Sequence, residues 1–118
     1  MMHVQQVHRH EYWPSGDSRD LAEVRFSPEE LASRYGLRFE EGLDDLDYFK
    51  LAAIALADGS QAWFIKYRGD QYPGTLVRVD ASADLGQAQE LLQRALGLAD
   101  EDFPWIAPGA AAPEASLA

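Results

Sequence analysis

Tyr48 to Ala57 is an almost unbroken apolar run; Asp58-Gly59 closes it, and a second run, Gln61 to Arg68, follows at once. Aspartate-glycine between two strand-like runs is the strongest short-range signal of a β-hairpin, because the tight two-residue turn needs positive φ at both central residues. Asp58 and Gly59 are therefore expected to supply that turn. Within the second run Trp63, Ile65 and Tyr67 share one face, and Ala62, Phe64 and Lys66 the other. Apolar groups on both faces suit a central strand covered on each side. Gly69 to Gly74 reads as a turn cluster, and Thr75 to Val79 as a third strand, which makes an antiparallel meander.

Helix signals flank the meander. Ser27-Pro28-Glu29-Glu30 combines an N-cap serine, proline at the first helical position and a glutamate placed for a capping box, and Gly36 is positioned to stop a helix of about two turns. Asp84 with Gln87 opens a longer segment that ends before Gly97. Its Leu85, Ala88, Leu91, Leu92, Ala95 and Leu96 form an amphipathic stripe. Leu21–Phe26 and Leu37–Glu40 read as further short strands, and Phe103 and Trp105 as aromatics folded back over the core. The expected fold is α+β: a small antiparallel sheet, a three-stranded meander plus one or two short strands. A C-terminal amphipathic helix packs on one face, and a short N-terminal helix completes it. Residues 20–107 should form the single domain, with a flexible arm at 1–19 and a disordered tail at 108–118.

Composition narrows the function. The 118 residues contain no cysteine, which excludes a disulfide scaffold, a thiolate metal site and a cysteine nucleophile. Neither a Gly-rich phosphate loop, a Gly-x-Ser-x-Gly elbow nor a His-Glu-x-x-His pair occurs. The expectation is a protein that is not an enzyme and holds no cofactor. The longest purely apolar run, Leu51 to Ala57, falls far short of the ~18 residues of a membrane helix. No apolar segment resembling a signal peptide follows Met1, and cytoplasmic residence is expected. Arginine outnumbers lysine eight to two, a bias of GC-rich bacterial coding.

A net charge of −10 repels nucleic-acid phosphate and anionic lipid and attracts basic partners. The densest acidic stretch carries Glu40, Glu41, Asp44, Asp45 and Asp47, and reads as a solvated loop. Asp45 and Asp47 alternate as calcium ligands do, but Leu43 and Leu46 interrupt the run and the EF-hand pattern is absent. Adjacent loop carboxylates also do not face one another across a pocket, as acid–base chemistry needs. Tyr67, Arg68 and Tyr72 are expected at an exposed edge, where tyrosine favours protein contacts. Arg68-Gly69-Asp70 spells a tripeptide that integrins read, although turn chemistry alone accounts for these residues. Base stacking on the hairpin aromatics would need more basic neighbours than the sequence offers.

The leading expectation is thus an acidic, non-enzymatic domain that binds a basic protein, in the manner of an immunity or inhibitor protein. Glu40, Glu41, Asp44, Asp45 and Asp47 would supply charge, and Tyr67, Arg68 and Tyr72 shape. Nucleic acid and membrane are not expected as partners. One alternative is a divalent-metal protein using His3, His8 and His10 with acidic ligands, although a polar arm in water is the simpler explanation of these residues. Another is a structural homodimer that pairs edge strands or buries the Trp105 segment.

Overall fold

Six antiparallel pairings join seven strands into one sheet in the computed structural model, which describes residues 4–7, 17–43 and 47–110. In chain order the elements are β1 (Gln5–Val7), β2 (Ser18–Val24), α1 (Pro28–Tyr35), β3 (Glu40–Leu43) and β4 (Tyr48–Ala55). Then come β5 (Gln61–Tyr67), β6 (Thr75–Asp80), α2 (Leu85–Leu96), a 3-10 turn at Asp100–Asp102, and β7 (Trp105–Ile106). Across the sheet the order is β1-β4-β5-β6-β2-β7, and β3 pairs with β4 along the same edge that β1 uses further on. The architecture is α+β.

The β4–β5 hairpin forms in the register that a turn centred on Asp58 demands, with Lys50 opposite Lys66 and Ala55 opposite Gln61. Its turn differs from the expected one. Only Gly59 has positive φ (+88°), and the Leu56 amide donates to the Ser60 carbonyl across a three-residue loop. The Asp58 carboxylate accepts from both the backbone N–H and the hydroxyl of Ser60, which holds Asp58 in an ordinary conformation.

The helices form where local chemistry places them. Ser27 and Glu30 make the reciprocal capping box of α1, Asp84 caps α2 through the Gln87 amide, and Gly36 and Gly97 end the two helices in the left-handed region. Buried residues of α1 and α2, among them Leu31, Leu92 and Leu96, pack with Leu21, Val24, Ile54, Phe64, Val77 and Val79 of the sheet. The Tyr35 hydroxyl donates to the Leu96 carbonyl at 2.8 Å and so ties α1 to the end of α2. Fully burying a side chain such as Phe64 contributes about 1.5–3 kcal/mol, so this layer is the main source of stability. A second cluster, Phe49, Leu51, Ala53 and Trp63, lies buried on the pleat positions that alternate with the first.

Several expectations are corrected. The sheet has seven strands, not four or five, because β1 lies in a stretch read as an arm and β7 in a segment read as a turn. Neither helix is terminal in the fold: two strands precede α1, and β7 follows α2 to pair with β2. Leu37–Phe39 is not strand. Pairing with β4 instead begins at Glu40, so half of the presumed acidic loop is β3. Phe103 is buried, but Trp105 is 39% exposed on the edge strand β7. No helix among the described residues is long and apolar enough to cross a membrane.

Candidate functional site

At one end of the sheet, β3, β4 and β5 form a floor and the first turn of α1 forms a wall. Between them lies a cleft of about 510 Å³ lined by Ser27, Pro28, Glu29, Glu41, Tyr48, Phe49, Lys50, Lys66, Tyr67 and Arg68. The register explains the floor. Glu41 pairs with Lys50, and Lys50 with Lys66, so these three charged residues form one row on a single face. Leu43 pairs with Tyr48 and begins a second, outer row, which Arg68 extends. Its guanidinium stands 4.6 Å from the centre of the Tyr48 ring, in cation–π contact.

Like charges opposite each other on a sheet are unfavourable, and neighbouring carboxylates relieve the two lysines. Lys50 Nζ lies 2.6 Å from Glu29 Oε2. That bond is the main cause of both a lowered Glu29 pKa and a raised Lys50 pKa, and the Glu41 charge adds to the latter. Lys66 Nζ donates to the Tyr72 carbonyl and pairs with Asp70 at 3.4 Å. Arg68 pairs with Asp47 at 3.1 Å. All three cations of the cleft thus have carboxylate partners. The Glu41 side chain, in contrast, adds its charge beside Lys50 and makes no hydrogen bond among the described residues.

The rim is apolar. Leu43 and Tyr48 are 64% and 50% exposed, and with Trp105 they are the large exposed hydrophobic residues among those described. Two of the three therefore stand side by side, in register: Tyr48 lines the cleft and Leu43 lies next to it on the edge strand. Gly42 makes the arrangement possible. A Cβ there would come within 2.6 Å of Phe49 Cζ, so any other residue would force that ring to shift away from β3.

The residues expected from sequence fall in different places. Glu41, Tyr67 and Arg68 meet at the cleft. Asp47 serves the fold instead: its oxygens accept from the Tyr48 amide at 2.7 Å and the Gly69 amide at 2.6 Å. Those bonds, the Tyr48 one foremost, lower its pKa. Tyr72 and Asp70 are likewise engaged, since the Tyr72 amide donates to Asp70 while burial raises the Tyr72 pKa. Tyr67 is half-buried on a central strand and meets Phe49 edge-to-face at 5.8 Å, rather than standing at an exposed edge. Glu40 is half-buried beside Arg38 and Gln6. Asp44, Asp45, His3, His8 and His10 lie outside the described residues. Among the described residues no cluster of three or more histidine, aspartate or glutamate side chains could hold a metal ion.

Glu29, Tyr48, Lys50 and Lys66 were not singled out as site residues from the sequence. The hairpin could have disclosed the lysine pair, because residues equidistant from Asp58 must face each other. No family model, curated protein or solved structure matches this chain.

Proposed function

We propose that the chain is a non-enzymatic acidic domain that binds a basic protein, and that the cleft beside α1 with its Leu43–Tyr48 rim is the contact. The observation that carries this reading is the adjacency of two exposed apolar side chains to Glu41, a carboxylate whose side chain makes no hydrogen bond among the described residues, in a chain of net charge −10. Apolar groups at a rim supply affinity when desolvated, while the surrounding charge steers encounter and selects the sign of the partner. The paired state of Lys50, Lys66 and Arg68 leaves little for a phosphate to gain, which favours a cationic side chain over nucleic acid.

An immunity- or inhibitor-like role, covering a basic toxin or nuclease, is the concrete form of this reading. Its test is the association rate with the isolated partner. The rate should fall at least tenfold between low and physiological salt, and again on Glu41→Lys, with the fold unchanged by circular dichroism. Rates indifferent to both would refute it. A second reading, self-association through β7, rests on exposed Trp105 at the sheet edge. Light scattering that shows a dimer abolished by Trp105→Ser would favour that one.

A further inference from the structure

We propose that the outer edge of β3 accepts an extended basic segment of the partner as an added strand; this rests on the protein-binding reading above and specifies how the partner docks. Among the described residues β3 pairs with β4 alone, and none of the described strands lies along the backbone donors and acceptors of its other edge. Strand addition gains affinity from those main-chain groups and specificity from alternate side chains.

The register states what the added strand must carry. Glu41 and Leu43 lie on the cleft face with Lys50 and Tyr48, whereas Gly42 lies on the other face with Phe49. A residue placed beside Leu43 should be apolar and extend the Leu43–Tyr48 patch. Two residues further along, the position beside Glu41 should be arginine or lysine. In antiparallel addition the pattern reads apolar, any residue, cation, from the partner's N-terminus. A second copy of this chain fits poorly: antiparallel pairing of Glu40–Leu43 with itself would gather four glutamates within a few residues.

The test is a titration of the full chain, followed by amide NMR, with a hexapeptide alternating threonine with leucine, arginine and lysine, in that order. A second peptide of the same sequence carries N-methyl groups on alternate residues, which block main-chain pairing but keep the charge. Expected are at least tenfold slower hydrogen exchange within residues 40–43 on saturation, and at least tenfold weaker binding of the N-methylated peptide. Equal affinity for both, with shifts at Glu41 and Tyr48 but unchanged exchange in β3, would overturn strand addition and leave the basic-partner reading standing. Failure of both peptides to bind at millimolar concentration would also overturn it, and the salt and Glu41→Lys measurements above decide the broader reading separately.

Discussion

Alanine at position 42 would drive a methyl group into the Phe49 ring. Its Cβ would stand 2.6 Å from Cζ and 3.0 Å from Cε1, where carbon–carbon contacts favour about 3.5–4.0 Å, so the ring tip must retreat by about 1 Å. It has little room. Phe49 is buried against its own cluster and meets Tyr67 edge-to-face at 5.8 Å. Overpacking of this kind costs about 1–3 kcal/mol, and the lower unfolded-state entropy of alanine returns about 0.4–1 kcal/mol. A net loss of up to about 2.6 kcal/mol follows, centred near ~1.3 kcal/mol, which lowers Tm by about 5 °C for a chain of this size. Urea and thermal unfolding of Gly42→Ala, Phe49→Leu and the double variant form the assay. Leucine removes the offending ring, so Gly42→Ala should cost at least about 0.5 kcal/mol less in that background, the scale of coupling between contacting residues. Equal cost in both backgrounds, or a stabilised Gly42→Ala, would refute the steric account of β3.

Other outcomes follow from the same contacts. Tyr35→Phe should lose about 0.5–1.5 kcal/mol in urea unfolding, because it deprives the Leu96 carbonyl of its buried donor. Glu29, Asp47, Asp58, Asp80 and Asp102 all have lowered pKa values. Hydrogen bonds are the largest cause in each: to Lys50, the Tyr48 amide, Ser60, Ser82 and Arg25 respectively. Their contribution is complete above the unfolded values near ~4 and is lost as pH falls through the lower folded values. The urea midpoint should therefore drop below about pH 4, and a midpoint that rises toward pH 3 would contradict the pairing. Lys50, raised mainly by Glu29, should lose its share only above about pH 10.4. Asp47→Ala should speed hydrogen exchange of the Tyr48 and Gly69 amides severalfold while the β5–β6 pairing stays protected.

The elements legible in the sequence are those whose signals are local. The Ser27–Glu30 box, the Asp84 cap and the stops at Gly36 and Gly97 act within four residues, and the structure places both helices by them. β1 and β7 have three and two residues and exist only through distant partners, Ala53–Ala55 and Ala22–Glu23, which no local pattern announces. β3 is obscured in another way. Glu40-Glu41-Gly42 has poor strand propensity, and the strand depends on β4 and on the space Gly42 leaves for Phe49. Of the site, Glu41 and Arg68 are readable as charge near a turn. Glu29 reads as a helix-start residue, and its pairing with Lys50, 21 positions away, emerges only when α1 folds against the sheet end.

The most direct measurement is site-specific photo-cross-linking in the native cell, with a benzophenone side chain at position 43, 48 or 105, followed by identification of the joined peptide. Adducts from positions 43 and 48 to a segment rich in arginine or lysine, lost on Glu41→Lys, are expected from a docking cleft between α1 and β3. Adducts from position 105 alone, or peptides from 43 and 48 with no basic bias, would contradict it.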